Sequence, residues 1–416
     1  MSAVSPTVLL RTDPSRSCPP NRGHDTLNWF PVHVLRRLAA LLVLAPPLLL
    51  LASAGATWGA APVSAMLPRE PHRLDGELVA TERVADERSE SAVVLVVLDG
   101  VRWQDVFGGA DRALARQHGV NPATWASARV LMPNLQHMLD TQGMAIGAPG
   151  HGPEMTTGGA QRISLPSYRE IFTGRTDPAC QSNDCLQPLG RTVADDVYDA
   201  TGPGDVAVIS SWPNIARAAS AEPSRFVLST GRKLIGLGER LRSDREIASL
   251  LDAGARASAF PGEGDYRPDS MTERIALRYL TTARPRFLFV GLGDCDEYGH
   301  RNDYRSYLSA LHEADEFLGE LAVTLDAMGA RGKHTTVLVT ADHGRAYDFR
   351  DHGAWHPESG RVWLVASGGD VRGRGLVTAS RRHTLSDIAP TVRALLGIAG
   401  AERGEPIAEV VSPVGR

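Results

Sequence analysis

Four short stretches of this chain place acids, histidines and a hydroxyl where a metal-assisted reaction could use them. The most specific is TTVLVTADHGRAY, in which Asp342 and His343 follow an apolar β-branched run and precede a glycine. Adjacent Asp and His can both reach one divalent ion where a chain leaves a strand. The second is GLGDCDEYGH, where Asp296 and His300 lie four residues apart. They meet on one face if the segment forms a helical turn, with Asp294 and Glu297 as competing acids. The third is Asp99, which ends the run VVLVVL and is followed by glycine. Alone it would equally serve as a turn or capping residue. The fourth is Ser164 in RISLPSYREIFTGR, at the expected start of an amphipathic helix that Thr173 and Gly174 close. A helix start favours an anion there, so Ser164 suits either a cap or an activated nucleophile.

The elements that must position these residues are legible as patterns. Buried-strand runs are expected at Ala92–Leu98, Val206–Ile209, Arg225–Leu228, Phe287–Leu292, Thr336–Thr340 and Val362–Ala366. Helices are expected at Met271–Leu280, at Tyr304–Met328 on its three-to-four apolar spacing, and at Leu385–Leu396, ended by Gly397. Gly147–Gly159 reads as a glycine-rich, strand-poor loop. Strand–helix alternation predicts an α/β fold with a mainly parallel central sheet and helices on both faces. In such sheets ligands sit beyond the carboxyl ends of the strands, where Asp99, Asp296 and Asp342 fall. Two divalent ions about 4 Å apart would there clamp the attacking and leaving oxygens of a phosphoryl transfer. Mixed Asp and His ligation suits zinc better than magnesium or calcium, with manganese as the alternative.

Together VVLDGVRW, ISLPSYREIFTG, DEYGH with its preceding acids, TADHG and DIAPTVRALLG resemble the alkaline phosphatase superfamily, in particular its type I phosphodiesterase/nucleotide pyrophosphatase branch. The resemblance runs from about Val93 to Gly397 and implies an alkaline-phosphatase-like fold. It implies that Asp99, Ser164, Asp342 and His343 bind one zinc, and that Asp296 and His300 bind the other with a later histidine. DFRDHG resembles the W-x-x-HG segment of bacterial relatives, which selects His352 ahead of His356 and His383. Ser164 would attack phosphorus in line and form a phosphoseryl enzyme, which water then hydrolyses. Asn183, in CQSND, stands where the diesterases place an amide that holds a phosphoryl oxygen. The chain has no C-x-P-x-R, which disfavours the formylglycine sulfatases. The implied activity is hydrolysis of phosphoric mono- or diesters, and the implied partner is a small phosphate ester. The alternatives are a phosphotransferase of the cell envelope and a catalytically silent metal-binding protein.

The rest of the sequence bounds these readings. With 416 residues, 43% hydrophobic and 22% charged, and a formal net charge of −4, the chain has no basic excess to suggest a nucleic-acid surface. Arg36 and Arg37 precede the apolar run Leu38–Ala56, and small-residue exits extend to Ala65. Residues 1–65 therefore read as an export leader, with a retained membrane anchor as the alternative. Residues 66–91 read as a linker and 92–416 as the catalytic domain, periplasmic or secreted. Cys180 and Cys185 could close a loop disulfide in an oxidising compartment.

Overall fold

The computed structural model describes residues 91–186, 189–236, 239–399 and 404–411. The expected leader and all of the linker but Ser91 lie outside the described residues. Eleven strands are formed among the described residues: β1 (Ala92–Leu98), β2 (Gly143–Ile146), β3 (Met155–Thr156), β4 (Val206–Ser210), β5 (Val227–Thr230), β6 (Lys233–Gly236), β7 (Phe287–Leu292), β8 (Thr335–Thr340), β9 (Arg361–Val362), β10 (Leu364–Gly368) and β11 (Gly375–Leu376).

Nine of them make one sheet in the order β11-β2-β10-β8-β1-β7-β4-β5-β6. The five central strands, β8 to β5, are mutually parallel, while β6 and β10 run antiparallel to their neighbours. β1 is fully buried, and its side chains alternate between two cores. Val94, Val96 and Leu98 pack with the helices Pro133–Thr141, Asp269–Ala283 and Tyr304–Ala327. Val93, Leu95 and Val97 pack with Ser164–Thr173, Val193–Thr201 and Ile388–Leu396. Each fully buried Val or Leu contributes about 1.5–3 kcal/mol over exposure, so a strand covered on both faces can be apolar throughout. The expected α/β class and mainly parallel sheet, with helices on both faces, are observed.

Two strand expectations shift. The run Arg225–Leu228 becomes a strand at Val227, because Arg225 closes a turn onto Glu222 (N···O 3.1 Å). The run Val362–Ala366 breaks at Trp363: β9 pairs with β3 in a separate two-stranded sheet, and β10 joins the main one. Trp363 is buried at the switch and donates its indole N–H to the Val101 carbonyl at 3.2 Å. Met155–Thr156, inside the loop expected to be strand-poor, supplies the partner strand.

Candidate metal centre

β8, β1 and β7 are neighbours, and their carboxyl ends deliver the acids to one place. Asp99 follows β1 directly, Asp342 lies two residues beyond β8, and Asp296 sits on the helix Asp294–His300 that follows β7. The anticipated helical turn is thus formed, and it sets Asp296 and His300 one turn apart, Oδ2 to Nε2 2.9 Å. Asp294 does not join them. It accepts from the Asp269 amide (3.4 Å), while Asp269 accepts from the amides of Gly293 (2.9 Å) and Asp294 (2.8 Å). The two acids cap each other's helices. Glu297 lies outside both ligand groups.

Two clusters result, each with its ligand atoms within 4.8 Å of one another. The first holds Asp99, Asp342 and His343, all buried; the second holds Asp296, His300 and His352. His343 and His352 stack between the clusters at 3.9 Å between ring centroids. Each histidine in that stack turns Nδ1 to a backbone carbonyl, Gly344 at 2.9 Å and Arg162 at 3.2 Å. That bond selects the tautomer with Nδ1 protonated and leaves Nε2 as the electron donor facing the cluster. His356 faces Glu358, and His383 is buried between Asp387 and Glu409. Of the three candidate histidines, the fold brings only His352 beside Asp296 and His300.

Ser164 opens its helix, with Ile163 as the capping position, and its side chain makes no capping bond. Its Oγ instead lies 3.4 Å from Asp99 Oδ1 and 3.3 Å from His343 Nε2. Asn183, on the loop closed by the Cys180–Cys185 disulfide, accepts from the Leu165 amide at 2.9 Å. It thereby caps the first turn of the Ser164 helix. Among the described residues its side-chain N–H2 group has no partner, so that end is available to a ligand.

The electrostatics ask for cations. Burial, with Asp342 and Asp296 nearby, pushes the Asp99 carboxyl well above its ordinary range. Burial, followed by Asp296, pushes Asp342 up to about 8. Asp342 Oδ1 accepts from the amides of Gly100 (3.1 Å) and His343 (2.9 Å), yet the buried Oδ2 has no hydrogen-bond partner. An orphaned carboxylate oxygen beside a second buried acid is costly unless an ion compensates it. Burial lowers His343 to about 4, and burial with the adjacent His343 lowers His352 to about 3, so both imidazoles are neutral, as ligands must be. The residues present therefore fit a divalent ion in each cluster.

Two contributors carried no sequence signal. Tyr168 donates its hydroxyl to Asp99 Oδ2 at 3.1 Å. Arg345, wholly buried, pairs through Nη1 with Asp296 and donates to the carbonyls of Phe349 and Arg350, each at 2.6 Å. Burial would raise the Asp296 carboxyl, but Arg345, His300 and His352 together hold it well below the usual range. Gly299 makes room for this guanidinium: a Cβ there would fall 2.3 Å from Arg345 Cζ.

Comparison with known proteins agrees with this geometry. Residues 265–399, which include Asp296, His300, Asp342, His343 and His352, match the model of the Metalloenzyme superfamily. The fold resembles that of alkaline phosphatase PafA, with a TM-score of 0.53 at 13% identity over 77% of this chain and 99% of that one. The fold is thus alkaline-phosphatase-like. A phosphonate monoester hydrolase from Silicibacter pomeroyi is similar in fold, with a TM-score of 0.51, 14% identity and 78% of each chain covered. Among curated relatives, a 2,3-bisphosphoglycerate-independent phosphoglycerate mutase from Haloarcula marismortui is 30% identical over 57% of this chain and 46% of its own length. A phosphopentomutase from Alkaliphilus metalliredigens is 27% identical over 46% of this chain and 49% of its own length. The chain thus spans about half the length of the curated relatives it matches.

Proposed function

We propose that the chain is a hydrolase of phosphoric esters in which Ser164 is the nucleophile and a phosphoseryl enzyme is the intermediate. The observation that carries this is the Ser164 hydroxyl, which caps nothing and lies 3.3–3.4 Å from two residues of the first cluster. Asp99, Asp342, His343 and Ser164 would hold one divalent ion, and Asp296, His300 and His352 the other. Zinc is the better match to mixed carboxylate and imidazole donors, and manganese is the alternative. Such ions, when bound, lower the pKa of a hydroxyl beside them and neutralise charge on the phosphoryl oxygens.

The chain's own groups do the positioning. The N-terminus of the Ser164 helix presents backbone N–H groups to an anion, and Asn183 offers its free amide N–H2 group beside them. Tyr168 holds Asp99 in place. Ser164 Oγ forms a bond to phosphorus as the ester P–O bond breaks and the alcohol leaves; water then cleaves the phosphoserine and regenerates Ser164. His300, with 49% of its side chain exposed, marks the side open to solvent.

The mutase relatives support a second reading, in which the phosphoryl group passes to another hydroxyl instead of water. Membership of the type I phosphodiesterase/nucleotide pyrophosphatase branch and a periplasmic or secreted location are further proposals. The location rests on residues 36–65 and on the formed Cys180–Cys185 disulfide, which is typical of oxidising compartments.

The test is to measure metal content and hydrolysis of p-nitrophenyl phosphate and bis-p-nitrophenyl phosphate, with Ser164→Ala alongside. We expect about two metal ions per chain and loss of at least 10³-fold in kcat for Ser164→Ala, as for other activated nucleophiles. Full activity in that variant would end the nucleophile assignment, and free phosphate failing to appear while the phosphoryl group moves within a diol substrate would favour the mutase.

A further inference from the structure

A cavity of about 400 Å³ has walls that come from the same segments that deliver the ligands. Trp103 follows Asp99 by four positions, Arg162 precedes Ser164 by two, and Tyr347 follows His343 by four; all three line it. Arg361 and Arg382 add two more guanidinium groups to the wall; of its two carboxylates, Glu154 pairs with Arg361 and Glu358 accepts from the Tyr347 amide at 3.2 Å.

The charges in this wall are unevenly compensated. Arg361 pairs with Glu154 at 2.9 Å and lies over the Trp103 ring at 3.8 Å, yet its buried Nε has no partner. Arg162 donates only to the neutral carbonyls of Ala160 and Ala354, at 3.1 and 3.3 Å. Its backbone is left-handed (φ 50°). That conformation, costly for a side-chain-bearing residue, goes with a carbonyl bonded to His352 Nδ1 and a side chain in the cavity wall. The exposed guanidinium of Arg382 meets no carboxylate among the described residues. Two guanidinium groups without acidic partners, in a cavity walled by the segments that carry Asp99, Ser164 and His343, are the recognition chemistry of a carboxylate or phosphate.

We propose that this cavity is the subsite for a leaving group that carries its own negative charge. The substrate class is then the phosphate ester of an anionic alcohol, bearing a carboxylate or a second phosphate, with Arg162 and Arg382 as specificity-determining residues. The inference rests on the reading of Ser164 as the reacting end of the site.

The experiment measures binding without turnover, in the full-length, metal-loaded Ser164→Ala protein by calorimetry. The probes are glycerol 3-phosphate, 3-phosphoglycerate and glycerol 1,3-bisphosphate, which share a three-carbon frame and differ in a neutral, carboxylate or phosphate end. The two doubly anionic esters should bind at least tenfold more tightly than glycerol 3-phosphate, and whichever binds more tightly identifies the preferred anion. Arg382→Ala, a change at an exposed side chain, should bring that ratio below threefold, and Arg382→Lys should keep an intermediate ratio. Equal binding of all three esters, or an Arg382→Ala loss that is the same for each, would overturn the assignment. The hydrolase reading is judged separately, by Ser164→Ala on p-nitrophenyl phosphate, so a mutase would keep the anionic preference while failing that assay.

Discussion

Arg345→Met removes the one guanidinium that, among the described residues, touches the second cluster, and its cost can be worked from the contacts. Arg345 and Asp296 are a buried pair, with side chains 0% and 10% exposed. Deleting one member of such a pair leaves the other uncompensated and typically costs about 3–5 kcal/mol. The carbonyls of Phe349 and Arg350 also lose their donors, at about 1 kcal/mol each where water cannot replace them. In the metal-free protein the expected loss is therefore about 5–7 kcal/mol. A divalent ion bound by Asp296, His300 and His352 would supply the missing positive charge, so the loss should shrink by about half when metal is present. Urea unfolding of wild type and variant, each after chelation and after metal is restored, reads both quantities. A metal-free difference under about 1 kcal/mol, or a difference that metal leaves unchanged, would refute the reasoning.

Three further outcomes follow from the same geometry. His352→Ala should lower bound metal by about one ion per chain while His356→Ala leaves the content intact, as read by elemental analysis; equal losses would mean that the second cluster is misassigned. Asn183→Ala should lower kcat/KM for p-nitrophenyl phosphate about tenfold to a hundredfold, since one oriented donor to a phosphoryl oxygen is worth about 1.5–3 kcal/mol; no change would exclude the amide from the site. Burial is the main reason that the folded carboxyls of Asp269 and Asp294 titrate at about 6 and about 8 instead of at 3.8. The fold therefore holds protons that the unfolded chain has released, and stability should fall as pH rises from about 4 to about 8. Asp294→Asn, which cannot titrate, should flatten that fall in urea midpoints measured across the window, and an unchanged slope would count against it.

Much of this was legible in order along the chain. β1 and β7 are apolar throughout, and β8 is wholly buried and rich in β-branched residues, because both faces are covered, so their runs stand out in the sequence. The acids that follow them lie where a parallel sheet exposes its carboxyl edge. Asp342 with His343 could be paired because they are adjacent in the chain, and Asp296 with His300 because residues four apart face each other on a helical turn. The Ser164 helix could be bounded from its amphipathic pattern and Gly174, whose left-handed conformation (φ 73°) ends it.

What remained undecided in the sequence was long-range. Whether Asp99 and Ser164 were caps or site residues depended on each other, across a hydrogen bond spanning 65 positions. His352, His356 and His383 look alike locally, and only the loop folded around Arg345 carries the first of them to Asp296. Asp294 looked like a rival ligand until the fold set it against the Asp269 amide. Sequence by itself determined the residue types, the strands and the local pairs, because those follow from periodicity and short-range chemistry. Tertiary structure decided which strand ends are neighbours and which acids meet. That choice turns on burial, where a carboxylate must find a partner or a cation, and burial is a property of the whole fold.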